Sequence, residues 1–186
     1  VTGTKGKGTT SSLIFEVLKA AGKVDGKNLF LTGNIGKIQP LEFLDETDHS
    51  SVVVYELSSF QLQDLTQSPH IGICLMTTSD HLNHHKDLEE YHSAKTAITA
   101  FQSSDDISIS NIDYEATAKI ATLGKGRKLI ISSKSKPQSG AYIDGEKVIL
   151  TGEVEAEIDC KNRKLRGIHN LENIAAASLA GICLNV

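Results

Sequence analysis

The chain has 186 residues, 39% of them hydrophobic and 23% charged, with a formal net charge of -4, the size and balance of one soluble globular domain that buries a core without staples. No apolar run approaches the roughly 20 residues of a membrane span, and interspersed charges leave no electrostatic footprint for nucleic acid, so neither partner is expected. Cys74, Cys160 and Cys183 are odd in number and widely spaced, which excludes a disulfide framework or a C-x-x-C zinc site and fits a reducing cytoplasm.

The chain opens on Val1-Thr2-Gly3-Thr4-Lys5-Gly6-Lys7-Gly8-Thr9-Thr10, small residues leading into an apolar-periodic helix. Small residues let backbone N–H groups turn inward around phosphate oxygens. Lys7 supplies a point charge, and the helix start adds the positive end of its dipole. The segment reads as a cradle for a nucleotide polyphosphate, with Gly3, Thr4, Lys5, Gly6, Lys7, Gly8, Thr9 and Thr10 as its binding residues. It departs from the strict G-x-x-x-x-G-K-[ST] pattern at both ends. The first glycine falls at Val1, and Gly8 follows Lys7, so a hydroxyl for Mg²⁺ has to come from Thr9. Only Val1 and Thr2 precede the turn, where a buried strand of about five residues is usual, and the chain is expected to be a piece of something longer.

Leu13, Ile14, Val17, Leu18 and Ala21 recur at helical spacing before Gly22 and predict a helix from Thr9 to Ala21. Short β-branched runs at Leu29–Leu31, Val52–Tyr55, Ile71–Leu75, Ile107–Ile109 and Leu129–Ile131 read as parallel strands buried on both faces. Helical patterns at Leu88–Phe101 and Tyr114–Leu123 lie between them, the alternation of right-handed crossovers. From Ala141 the pattern changes. Ala141–Asp144 and Lys147–Leu150 flank an Asp144-Gly145 turn and Val154–Ile158 alternates, which predicts a small antiparallel unit. The basic cluster Lys161–Arg166 reads as a solvated hairpin face, and Leu171, Ile174, Ala175, Ser178, Leu179 and Ile182 mark a closing helix. The expected fold is α/β, a mostly parallel sheet with flanking helices plus that antiparallel unit.

Glu56 ends the apolar run Val52–Tyr55, either as a carboxylate placed beside a phosphate-bound Mg²⁺ or as an ordinary strand end. His84, His85 and His92 invite a zinc reading, but their spacing suits no closed tetrahedral site. The string Glu56-Leu57-Ser58-Ser59-Phe60-Gln61-Leu62 is followed by Asp80-His81, Tyr91-His92-Ser93-Ala94-Lys95 and Gly167-Ile168-His169-Asn170-Leu171-Glu172-Asn173. In that order and spacing the chain resembles, over essentially its whole length, the central ATPase domain of the Mur ligases. The E-L-S-S-F-Q-L string is most similar to the branch that adds D-glutamate.

The resemblance implies a P-loop NTPase-like central domain, one unit over residues 1–186, of an ADP-forming amide ligase. The family's N-terminal UDP-binding and C-terminal amino-acid-binding domains are not in this sequence. It further implies peptidoglycan synthesis in the cytoplasm: D-glutamate joined to UDP-N-acetylmuramoyl-L-alanine through an acyl phosphate, with ATP and Mg²⁺ required. Residue by residue, Lys7 falls on the transferred phosphate, Thr9 and Glu56 on the Mg²⁺ between the phosphates, and His81 on a second metal. Lys95 matches a lysine carried as a carbamate, whose negative charge ligates that metal; Lys7, His81 and Lys95 form the catalytic set. His169, Asn170 and Asn173 match an adenine-side motif, and Asn34, Ser58 and Gln61 fall near the UDP-linked substrate. Plainer readings stand beside these: Asn34 in a turn, His81 next to a helix cap, Lys95 as a solvated charge, and an Asn at a helix start as an N-cap.

The chain departs from the family pattern at three positions: Gly8 gives the G-K-G-[ST] form of the folylpolyglutamate synthases, Asn83 replaces the second acid of D-H-x-D, and Met76 stands for an Asn. They keep open a γ-glutamyl ligase of the folylpolyglutamate kind, and a non-catalytic nucleotide-binding module.

Overall fold

Short runs of β-branched residues become strands here because both of their faces are covered. In the computed structural model the described residues are 1–22, 28–35, 39–78 and 88–186. The strands among them are β1 (Leu29–Gly33), β2 (Val52–Glu56), β3 (Ile71–Cys74), β4 (Ile107–Asn111), β5 (Arg127–Ser132), β6 (Gly140–Asp144), β7 (Lys147–Thr151) and β8 (Ala156–Asp159). The α-helices are α1 (Lys7–Ala21), α2 (Ser59–Gln63), α3 (Leu88–Ala94), α4 (Glu115–Ala121) and α5 (Ile168–Cys183).

β1 pairs with β2, and β3 to β6 run side by side, all in parallel. Val1 and Thr2 stitch the two groups together. The Val1 amino group donates to Tyr55 O at 2.7 Å and Leu57 N to Val1 O at 2.9 Å, while Thr2 N donates to Ile73 O at 2.8 Å and Leu75 N to Thr2 O at 2.9 Å. The hydrogen-bond ladder therefore runs unbroken from β1 to β8. Its register puts Gly33 opposite Glu56 and Asn111 opposite Ile131, so the polar strand endings gather on one edge.

Helices cover both faces. On one, Ile14 and Leu18 of α1 and Leu171, Ala175, Ala176 and Leu179 of α5 pack on Ile73, Ile109, Ile131 and Val148. The small side chains of α5 let α1 approach closely: a Cβ added at Gly181 would stand 3.3 Å from Val17 Cγ1. On the other face Leu57, Leu62, Cys74, Ala97, Ile98 and Ile120 form a second cluster. Each fully buried Leu or Ile contributes about 1.5–3 kcal/mol relative to exposure. Among the described residues, no helix is long and apolar enough to cross a membrane.

The expected parallel strands are all present, most of them longer than the apolar runs alone. The expected small antiparallel unit is present too, and three details differ. α1 starts at Lys7 rather than Thr9, because Gly6 takes the left-handed conformation (φ 88°) that turns the chain straight into the helix. The helix expected over Leu88–Phe101 ends at Ala94: the Thr96 hydroxyl captures Ser93 O at 2.7 Å, and a 3₁₀ turn over Thr96–Ile98 follows. The antiparallel unit extends the main sheet, since β6 joins β5 in parallel. Gly140 makes that junction possible, as a Cβ there would lie 1.9 Å from Ile130 O. Finally, Lys161–Arg166 form a turn after β8 rather than a hairpin face, with Arg163 paired to Glu146 in the β6–β7 turn.

Candidate functional site

The loop between Thr2 and α1 is shaped by contacts that only glycine tolerates. A Cβ at Gly3 would come within 2.9 Å of Leu75 Cβ, and one at Gly6 within 2.4 Å of Asn173 Oδ1. Thr4 N donates to Met76 O at 2.7 Å, so the loop is anchored on the segment after β3. Lys7 Nζ folds back to Gly3 O at 3.0 Å and Thr4 O at 3.1 Å, which brings its charge over the loop. No side chain caps α1, and the first intrahelical bond is Thr10 N to Gly6 O at 2.8 Å. The N–H groups of Lys7, Gly8 and Thr9 therefore sit at the positive end of the dipole without an intrahelical acceptor, the arrangement that binds anionic oxygen.

Glu56 faces this helix start from the end of β2. Its side chain is 4% exposed, and Oε2 has no hydrogen-bond partner among the described residues. A buried carboxylate oxygen left unpaired costs stability, and a cation is the group that removes the cost. The position of a Cβ on Gly8 is 3.8 Å from that oxygen, and half-buried Thr9 follows on the same helical turn. An oxygen-lined place for Mg²⁺ beside a phosphate cradle fits these residues. Gly8 also has a steric reason to be glycine: an added Cβ would stand 2.7 Å from Ile35 Cγ2.

The other expected residues divide. Asn34 is exposed in the turn after β1, next to the Gly33–Glu56 pairing. Ser58 and Gln61 form a capping box on α2, with Gln61 N to Ser58 Oγ at 3.2 Å and Ser58 N to Gln61 Oε1 at 2.9 Å, so both have a structural task. Lys95 is not a solvated charge: it is 1% exposed, with Nζ 4.5 Å from the centroid of the Tyr91 ring. His81 lies outside the described residues, as do Asn83, His84 and His85. His92 is half-buried, and burial, then Lys119 and Lys95, pull its pKa down. Among the described residues, no group of His, Cys, Asp and Glu forms a metal cluster.

At the head of α5 the N-cap is Gly167, so neither Asn170 nor Asn173 serves as the cap. They form a brace instead. Thr10 Oγ1 donates to Asn173 Oδ1 at 3.1 Å, Asn173 Nδ2 to Asn170 Oδ1 at 3.1 Å, and Asn170 Nδ2 to Arg166 O at 2.6 Å. This chain of amides ties α5 to α1, leaving each amide further hydrogen-bonding capacity. His169 is exposed beside it. A cavity of about 330 Å³ flanks the loop here, lined by Lys5, Gly6, Leu75, Met76, Asn111, His169, Glu172 and Asn173.

Asn111 and Glu172 were not anticipated in the sequence, nor was Tyr114. Asn111 Oδ1 accepts from Asp113 N at 3.1 Å, and Tyr114 OH donates to Glu172 Oε2 at 3.3 Å. Burial pushes the Glu172 carboxyl up, the Asp113 charge adds to it, and the bond from Asn111 opposes it. Burial, then Glu172, push the Tyr114 phenol up to about 12. Asn111 carried a signal of the same kind as Glu56, a polar residue closing an apolar strand.

The family model for the Mur ligase middle domain matches residues 1–181. The UDP-N-acetylmuramoylalanine–D-glutamate ligase of Acetivibrio thermocellus is 38% identical over 184 residues, covering 98% of this chain and 38% of the relative. That of Bacillus pumilus is 36% identical over 178 residues, covering 95% and 38%. The chain thus spans about two fifths of the length of these curated relatives. Among solved structures, MurF from Acinetobacter baumannii superposes with a TM-score of 0.71 at 17% identity, covering 99% of this chain and 42% of that one. MurF ligase from Thermotoga maritima in complex with ADP gives 0.65 at 19%, covering 100% and 44%, a likeness of fold. With an α/β sheet of the same architecture, and a family match that runs from the Gly3–Lys7 loop into α5, the chain belongs to the Mur ligases as a middle domain.

Proposed function

We propose that this chain is the ATP-binding central domain of an ADP-forming amide ligase that adds D-glutamate to UDP-N-acetylmuramoyl-L-alanine in peptidoglycan synthesis. The observation that carries the reading is that the uncapped start of α1 holds both Lys7 and a Glu56 oxygen without a hydrogen-bond partner among the described residues. The D-glutamate assignment is supported by the relatives' shared name at 34–38% identity. In such a ligase a substrate carboxylate attacks the γ-phosphorus of ATP, forming an acyl phosphate and releasing ADP. The amine of the amino acid then attacks the acyl carbon, phosphate leaves, and the amine gives up a proton.

Little covalent chemistry falls to the protein, so the chain's task is placement and charge. Lys7 and the N–H groups of Lys7, Gly8 and Thr9 neutralise and align the phosphates. Thr9 and Glu56 would hold the Mg²⁺, which supplies charge neutralisation between the phosphates. Lys95 takes the role of an anion: its amine adds to CO₂, an N–C bond forms, one proton is released, and a carbamate remains. Its burial supports this, because an ammonium taken out of water is costly to hold. His169, Asn170 and Asn173 line the adenine side, and Asn34, Ser58 and Gln61 the UDP-linked substrate. The flanking domains of the family would bring that substrate and the amino acid, and the reaction belongs in the cytoplasm. A folylpolyglutamate-type reading leans on Gly8, which the contact with Ile35 explains within this fold.

Calorimetry tests the reading. The chain is expected to bind MgADP weakly and Lys7→Ala to abolish binding. No binding in millimolar Mg²⁺, or equal binding by the variant, overturns it.

A further inference from the structure

Tyr91 occupies a position that phosphate binding alone does not require. It is 1% exposed on the short helix α3, its hydroxyl is 3.0 Å from Thr4 Oγ1, and Lys95 Nζ stands 4.5 Å from its ring centroid. Counting protons at Thr4 gives the direction of the contact. The Thr78 carbonyl, 3.0 Å from Thr4 Oγ1, can only accept, so it takes the single Thr4 proton. Thr78 N–H donates to Thr4 Oγ1 at 3.0 Å, and the remaining lone pair accepts from Tyr91 OH.

Thr4 is also part of the phosphate loop wall. Its carbonyl accepts from Lys7 Nζ at 3.1 Å, and its N–H is held by Met76 O at 2.7 Å. A shift of Lys7 toward a bound phosphate therefore acts on Thr4, from Thr4 on one hydroxyl, and through a rigid ring on Lys95. Thr4, Tyr91 and Lys95 are all buried, and close-packed side chains pass such shifts on rather than absorbing them. We infer that Tyr91 is a positioning residue that couples occupancy of the Gly3–Lys7 loop by a nucleoside polyphosphate to the placement of Lys95 Nζ. The ring fixes where the lysine head sits, and the hydroxyl registers the ring to the loop. This inference rests on the nucleotide reading above.

The test uses the chain labelled with ¹⁵N at lysine Nζ, the Lys95 resonance being assigned by its loss in Lys95→Arg. Saturating MgADP is expected to shift that resonance in the wild-type chain. In Tyr91→Phe, which keeps the ring, the shift is lost at saturation, and MgADP binds about threefold to tenfold more weakly, the worth of one net hydrogen bond. Thr4→Val, which cuts the same link from the other side, also loses the shift, and Thr4→Ser, which keeps the hydroxyl, retains it. A full shift in a folded Tyr91→Phe or Thr4→Val chain overturns the coupling. So does a wild-type chain that binds MgADP with no response at Lys95, whereas a wild-type chain that binds no MgADP overturns the nucleotide reading itself.

Discussion

The carboxyl edge of the parallel strands and the antiparallel flank belong to one sheet but are built by opposite rules. At the edge Thr2, Thr4, Thr10, Glu56, Lys95, Asn111, Glu172 and Asn173 are all buried. On the flank the buried residues are Ala141, Val148 and Leu150, and charges meet outside in exposed pairs such as Arg127–Glu153 and Lys147–Glu157. Apolar burial with polar groups left in water accounts for the flank by folding alone. The edge is different, because a buried oxygen such as Glu56 Oε2, without a partner among the described residues, lowers stability and needs a reason beyond the fold.

Glu56→Gln is the strongest way to break this contrast. Removing the charge is expected to raise stability, because a buried amide costs less than a buried carboxylate without a cation, and to weaken MgADP binding about a hundredfold or more. Thermal unfolding without nucleotide, and calorimetry with it, read the two effects separately. A variant that is less stable and still binds would mean that Glu56 belongs to the scaffold.

The two regions were also unequally legible. Ile107–Ile109 and Leu129–Ile131 declared themselves as strands because buried parallel strands need continuous β-branched runs, and Glu56 and Lys7 stood out because charge at the end of a strand or loop is local information. Lys95 stood out only through the family resemblance, since nothing in its neighbours along the chain says that α3 stops at Ala94 and turns the lysine inward. Asn111, Tyr114 and Glu172 meet only because α5 crosses back over β4, a tertiary fact with no local signature. Gly8 was legible as a departure but not its cause: serine there looks acceptable in sequence, yet the Ile35 methyl at 2.7 Å from the Cβ position has to move first.

Thr9 and Thr10 sharpen the comparison within a single helical turn. Thr10 is fully buried and donates to Asn173, which makes it scaffold, while Thr9 is half-buried and follows Gly8, whose Cβ position stands 3.8 Å from Glu56 Oε2. Thr9→Ala is expected to weaken Mg²⁺-dependent ADP binding by about 1–3 kcal/mol and leave the melting temperature nearly unchanged. Thr10→Ala should lower stability by a similar amount, about 1–3 kcal/mol, because Asn173 Oδ1 loses its donor. A silent Thr9→Ala beside a Thr10→Ala that loses only the Mg²⁺ dependence would show that the metal-side hydroxyl is Thr10.

The smallest effect marks the buried edge by pH. Glu172 has its carboxyl raised above the ordinary value of 4.5 by burial first and by Asp113, so the folded chain holds that proton more tightly than the unfolded one. Its stabilising contribution is therefore complete below pH 4.5 and is lost as pH rises through the folded value. Glu172→Gln, which keeps acceptor and shape, should remove this fall: the variant gains on the wild type as pH rises from 4.5 to the raised folded value, keeps that gain above it, and shows none below pH 4.5. Asp106, held down first by its hydrogen bond with His70 and then by those from Ser103, against a smaller rise from burial, has the opposite sign, with stability present above 3.8 and lost as pH falls through its lowered value. Denaturant midpoints of wild type and Glu172→Gln between pH 4 and 8 read the difference directly. Parallel curves would mean that the Glu172 carboxyl is solvated in the folded chain, and that the buried polar edge ends at Asn173.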